Sequence, residues 1–224
     1  DYEIIRIDNL KEKLSIAEAY NKGINKSIYA FVVFVHEDVL FHVKHWGNII
    51  LEIFNNNRKI GLIGVAGTKM KTRMPSAWWN CEEKAKVFNI LQHIPNKEKE
   101  FWHQGFDSKN EENVVIIDGV FMGWRKMKGV SFNENLTGFH NYDLNLSFEC
   151  RKKDYQIVVT NQILIEHFSL GTLNEFWYKS TIKLHQLYKN ELPIYNSKIQ
   201  NRFFNRKLEF NNGSWFVNNL VHQG

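Results

Sequence analysis

The stretch Ile28-Tyr-Ala-Phe-Val-Val-Phe-Val35, followed by His36-Glu37-Asp38, decides the fold. Eight consecutive residues are apolar, and most are β-branched or aromatic, which is how a strand covered by helices on both faces reads. The run stops abruptly on three polar side chains. Upstream, Ser15-Ile16-Ala17-Glu18 fits a capping box, and Ile16, Ala19, Tyr20, Gly23 and Ile24 fall at helical spacing. Before that helix, Tyr2 to Ile7 alternates apolar residues around Glu3 and Arg6 and ends at Asp8-Asn9, the pattern of a strand running into a loop. Downstream, Trp46, Ile49, Ile50, Ile53 and Phe54 form a helical stripe, and Ile60 to Ala66 is a short buried strand closed by Gly67. Residues 1–67 thus read β-α-β-α-β. Strands alternating with helices predict an α/β fold with a mostly parallel mixed sheet and right-handed crossovers.

The chain has 224 residues, 43% of them hydrophobic and 24% charged, which suits one domain with a substantial core. Two cysteines, Cys81 and Cys150, are too few for a disulfide framework and lack the spacing of a structural zinc site, so they read as reduced thiols in a cytoplasmic protein. No apolar run approaches the ~20 residues of a membrane span. The net charge is +5, but Lys and Arg are scattered singly, which argues against a nucleic-acid partner.

From Thr68 to Asn113 the periodicity dissolves into a long polar stretch holding Trp78 and Trp79, and such segments are usually functional or mobile. Val114 to Ile117 reads as a strand running into Asp118-Gly119, Tyr142 to Cys150 as a short helix, Ile157 to Ile165 as a strand and Glu175 to Tyr188 as an amphipathic helix. The tail from Leu192 carries no assignable pattern. In an open α/β sheet, ligands bind outside the carboxyl ends of the strands. The polar residues expected there are Asp8, Asn9, His36, Glu37, Asp38, Asp118 and His167. A carboxylate at the end of a buried strand is costly without a partner. A divalent ion is one such partner: Mg²⁺ or Mn²⁺ suits Asp38, and an imidazole from His167 suits Mn²⁺. The bland alternative makes Asp38 a helix cap and packs His36 on an aromatic ring. Asp143 has two readings also, an acidic residue well placed on the helix dipole or a general base. Trp78 and Trp79 read either as core or as platforms for a sugar face.

Taken in order, six stretches resemble bacterial glycosyltransferase-like proteins related to family 2, with the GT-A nucleotide-diphospho-sugar transferase fold. They are Ser15-Ile-Ala-Glu-Ala-Tyr-Asn-Lys-Gly-Ile24, Phe31-Val-Val-Phe-Val-His-Glu-Asp38, Gly61-Leu-Ile-Gly-Val-Ala-Gly67, Asp118-Gly-Val-Phe-Met122, Gly138-Phe-His-Asn-Tyr-Asp143 and Glu166-His-Phe-Ser-Leu-Gly171. The likeness covers about residues 2–172. It implies a donor side at Asp8, Asn9, Asn21 and His36, metal ligands at Asp38 and His167, and a catalytic base at Asp143, with Trp78, Trp79, Asp118 and His140 on the acceptor side. His36-Glu37-Asp38 stands where the family has DxD, and Tyr142-Asp143 where many relatives have Glu-Asp. The resemblance also implies a strand and loop ahead of Tyr2 that hold the nucleotide. It divides the chain into a nucleotide-sugar half (1–67), an acceptor and catalytic half (68–172) and a helical extension (173–224).

The expected activity is therefore inverting, metal-dependent sugar transfer from a nucleotide-diphospho-sugar, with a UDP-sugar favoured, to a glycan or lipid-linked hydroxyl, at the inner face of the membrane or free in the cytoplasm. The chemistry of the residues agrees. A diphosphate neutralised by a metal leaves well, so one carboxylate base suffices. The rival reading is a non-catalytic carbohydrate- or partner-binding module on the same fold. A nucleotidyltransferase would want a glycine-rich phosphate loop, which the sequence does not show.

Overall fold

In the computed structural model, which describes residues 1–196 and 206–221, the first regular element is α1 (Ile16–Lys26). Ser15 starts it through a reciprocal cap: its backbone N–H donates to Glu18 Oε2 at 2.7 Å, and its hydroxyl accepts from the Glu18 N–H at 3.4 Å. There follow β1 (Phe31–Val35), β2 (Val39–Phe41), α2 (Trp46–Asn56), β3 (Ile60–Gly64), β4 (Ala66–Thr68) and β5 (Met70–Lys71). After a 3₁₀ turn at Glu83–Ala85 come β6 (Lys86–Gln92), β7 (Glu100–Gln104), β8 (Glu111–Val114), β9 (Ile116–Ile117) and β10 (Phe121–Arg125). The chain continues through α3 (Tyr142–Arg151), β11 (Gln156–Thr160), β12 (Ile165–His167), α4 (Glu175–Leu187), β13 (Ile194–Tyr195) and α5 (Arg206–Val221).

The central sheet runs β1-β10-β3-β11-β8, and a second sheet runs β2-β12-β6-β4-β9 with β7 also paired to β6. Along β11 the side chains alternate. Ile157 and Val159 face a core shared with Ala17 and Ile24 of α1 and Leu146 and Cys150 of α3, while Val158 faces Ile50, Ile53 and Phe54 of α2. Helices therefore cover both faces of the central sheet, in three layers.

The α/β class and the mixed sheet agree with the sequence reading, but the pairing directions do not. Only β3 with β11 and β6 with β12 are parallel neighbours among the described residues. The strands β1 and β3 do run the same way, as a helical crossover requires, but β10 inserts between them antiparallel to both. Periodicity reports the crossover and is silent on which later strand fills the gap. β1 is also only half-buried, and Ile28 is exposed, so it is not covered on both faces as expected.

Two further expectations are corrected. Tyr2 to Ile7 forms no strand: Tyr2 and Ile4 are exposed, and no described strand offers it a ladder of hydrogen bonds. The stretch Thr68 to Asn113 is not one long loop: it carries β5, β6, β7 and most of β8. Its periodicity is hidden because inward positions carry polar groups such as Asn89, whose amide nitrogen donates to the Asn161 and Ile163 carbonyls at 3.0 and 2.9 Å. The extension expected from residue 173 onward contains α4, β13 and α5, and its residues 197–205 and 222–224 lie outside the described residues.

What positions the site is the passage of the chain from one sheet to the other. β1 ends beside the start of β10, with the His36 N–H donating to the Val120 carbonyl at 3.1 Å. The chain then crosses His36–Asp38 and enters the second sheet as β2, where Val39 is paired with His167 of β12. On the opposite face, Phe54 anchors α2. Its ring is fully buried and stacks on Phe31 at 4.8 Å, with the Arg125 guanidinium 4.8 Å from its centroid. Phe54→Ala should therefore cost about 3–5 kcal/mol, read as a lower urea midpoint with an unchanged denaturant slope.

Candidate active site

Three side chains converge where β1 and β12 end. His36 Nδ1 lies 3.3 Å from His167 Nε2, and Asp38 Oδ1 lies 3.8 and 3.5 Å from those two nitrogens. Among the described residues this is the one group of three or more His, Cys, Asp or Glu able to share a metal ion. Bonds of about 2.1 Å put neighbouring ligand atoms about 3.0–3.5 Å apart, a range met by the two His167 spacings and exceeded only by the 3.8 Å between His36 and Asp38, and two imidazoles with a carboxylate suit Mn²⁺ better than a purely oxygen-loving ion. The helix-cap reading of Asp38 fails, because the element that follows it is β2.

The charges on this group also suit an ion. Burial pushes the Asp38 pKa upward, but the hydrogen bond with Ser169 and the fields of His167 and His36 outweigh it, leaving the carboxyl more acidic than usual. Burial lowers the His167 pKa more than Asp38 raises it, which favours the neutral imidazole a metal needs.

A second constellation adjoins the first. Asp143 lies in the first turn of α3 and is buried, with Oδ1 accepting from the Leu144 N–H at 2.9 Å and Oδ2 from the Gly119 N–H at 3.1 Å. Burial first, and then the charge of Asp118, push its pKa up to about 7, although the backbone donors favour the ionised form. Being on the helix N-terminus is thus not the whole account of this residue. A carboxyl balanced near neutrality is what general-base work at cellular pH requires.

Tyr142 connects the two groups. Its hydroxyl is 2.7 Å from His36 Nε2 and donates to the Gly119 carbonyl at 3.4 Å. Gly119 has to be glycine, because a Cβ there would sit 2.4 Å from the Tyr142 hydroxyl. Asp118 itself is fixed by two donors: its Oδ1 accepts from the Val120 N–H at 2.8 Å and its Oδ2 from the Trp78 indole N–H at 2.9 Å.

The remaining sequence candidates fall in different places. Trp78 is buried against Phe88, so its ring is a support for Asp118 and not an open platform. Trp79 stands edge-on to Trp78 and is 39% exposed, leaving a ring open to solvent next to the one that supports Asp118. His140 is half-buried near α4, its carbonyl accepting from Ser180 Oγ at 3.0 Å and its imidazole pKa lowered by burial. Asp8 is exposed and accepts from the Leu10 N–H at 3.1 Å. Asn9 braces the loop before α1 through two bonds to the Leu14 backbone, at 2.8 and 2.6 Å. Asn21 clamps the Phe132 backbone, at 2.9 and 3.0 Å, and lines a 490 Å³ cavity with Trp124 and Met127, beyond the far end of β10 from His36. None of these three is hydrogen-bonded to the His36–Asp38–His167 group.

Two contributors escape a reading of the sequence. Gln92, whose Oε1 is 3.0 Å from His167 Nδ1, is an amide inside a strand and looks like a surface position. The Trp78 link to Asp118 spans 40 residues, and no local pattern announces it. A family model described as "Glycosyltransferase like family" matches residues 1–195. No curated protein matches the chain.

Removing the charge of Asp118 isolates the electrostatics of the pair. In Asp118→Asn the Asp143 pKa should fall below about 7 yet stay above the ordinary carboxyl value, since burial is the larger cause. A ¹³C carboxyl titration followed by NMR reads this directly, and an unmoved Asp143 would mean that the two carboxylates are not coupled.

Proposed function

Because the chain belongs to the glycosyltransferase-like family, whose activity is glycosyl transfer from a nucleotide-sugar donor to an acceptor, we propose that it does so with inversion, in a metal-dependent reaction with Asp143 as the base. The mixed α/β architecture agrees with the GT-A-like fold of such enzymes. The observation that carries the reading is the junction of a carboxyl poised near neutrality with a His–Asp–His group, through Gly119, Tyr142 and His36.

Asp143 takes the proton from the acceptor hydroxyl as that oxygen forms its bond to the anomeric carbon. The bond from that carbon to the diphosphate oxygen breaks on the opposite face, which inverts the configuration. Asp38, His167 and His36 would hold a divalent ion, Mn²⁺ or Mg²⁺, which would supply positive charge against the departing diphosphate. Trp79 would offer its exposed ring to the acceptor sugar, while Trp78 keeps Asp118 beside the base. We take a UDP-sugar as donor and a glycan or lipid-linked hydroxyl as acceptor.

One observation favours a second reading, a non-catalytic carbohydrate- or partner-binding module. The amides of Asn9 and Asn21, expected on the donor side, are spent on the chain's own backbone. Glycan binding that survives EDTA and needs no nucleotide, without any transfer, would select that alternative.

Two outcomes are expected of the catalytic reading. Asp143→Asn should lower kcat by ~10²–10⁴ while leaving Mn²⁺-dependent UDP binding by calorimetry unchanged. Intact transfer in that variant would remove Asp143 from the mechanism. The base works ionised, so kcat/KM should rise with pH and level off above about 7, the value set by burial and Asp118.

A further inference from the structure

We infer that Gln92 is a positioning residue, which holds His167 in the tautomer that turns a bare Nε2 toward His36 and Asp38. The two residues are neighbours by construction, since β6 and β12 run parallel with Gln92 opposite His167. Both are buried, Gln92 at 3% exposure, so water does not compete for their polar atoms.

The orientation of the Gln92 amide follows from what surrounds it. Its nitrogen faces three carbonyl oxygens, of His93 at 3.0 Å, Ser169 at 2.8 Å and His167 at 3.4 Å. A carbonyl only accepts, so the opposite orientation would set Gln92 Oε1 against three oxygens with no proton between them. The atom 3.0 Å from His167 Nδ1 is therefore the amide oxygen. It too only accepts, so Nδ1 carries the proton. A neutral imidazole has one N–H, and the other nitrogen, Nε2, is left with its lone pair free. That nitrogen is the one 3.3 Å from His36 Nδ1 and 3.5 Å from Asp38 Oδ1.

Hydrogen bonding at one ring nitrogen commonly sets which nitrogen binds a metal, and loss of such a partner typically costs about 10–100-fold in metal affinity. In Gln92 this support comes from a neutral amide which also ties together the backbone at His93, His167 and Ser169, so the ring is held in both tautomer and direction. The consequence for metal affinity rests on the proposed metal role of His167. The tautomer itself does not, and it is readable without any metal.

The test is a long-range ¹H–¹⁵N correlation spectrum of the ¹⁵N-histidine-labelled, metal-free chain, alongside Mn²⁺ titration calorimetry. Wild type should show His167 with a protonated Nδ1 and a pyridine-type Nε2. Gln92→Met, similar in size and without an acceptor oxygen, should lose that preference and bind Mn²⁺ about 10–100-fold more weakly. A protonated Nε2 in wild type overturns the inference, and so does an unchanged tautomer in a folded Gln92→Met. If Gln92→Met does not fold, the wild-type spectrum still decides the tautomer. A wild-type chain with the expected tautomer that binds no Mn²⁺ would sink the metal reading while leaving the role of Gln92 standing.

Discussion

The antiparallel pairing of β2 with β12 is the contact on which the site depends. Val39 opposite His167, with the Phe168 N–H donating to the Asp38 carbonyl at 3.1 Å, brings residues more than 120 positions apart to within reach of one cation. His36 remains tied to the central sheet through the Val120 carbonyl, so the three side chains straddle the junction of the two sheets. Neither sheet alone could assemble them. A group built across two sheets inherits the rigidity of both cores, which suits an arrangement whose distances must be held to a few tenths of an ångström.

Around that junction, opposing electrostatic effects shift the acidity of the carboxyl groups in opposite directions. Asp38 is partly open to water and close to two imidazoles, and its acidity is strengthened. Asp143 is buried in the first turn of α3 next to another carboxylate, and its acidity is weakened despite two backbone donors. A carboxyl of strengthened acidity beside two imidazoles, and a readily protonated one nearby, is the kind of separation that lets two carboxyls serve different functions in one cleft.

Much of this was legible in the sequence, for a definite reason. α1, α2, β3, α3 and α4 announce themselves because each buries an apolar stripe or run, and His36, Asp38, Asp118 and His167 stand out as polar residues that end such runs. The strand β6 was not legible, since its inward positions include Asn89 and Gln92, which bond to segments distant in the chain, nor was β7, which buries no residue fully. Trp78 illustrates the limit. An aromatic pair can be read as core or as platform, and here one ring does the first while its neighbour stays exposed. Asn9 and Asn21 show the reverse problem, polar residues at suggestive positions whose hydrogen bonds brace the backbone, of Leu14 in one case and of the distant Phe132 in the other.

Gly119 serves both halves of the site, its N–H toward Asp143 and its carbonyl toward Tyr142. A shift of this residue therefore moves Asp143 and the support of His36 together. In thermodynamic terms Tyr142 and Asp143 share a partner, so the effects of altering them singly should not sum to the effect of altering both. The size of that interaction energy would measure how strongly the Asp143 side and the His36 side of the site are coupled through one residue that has no side chain.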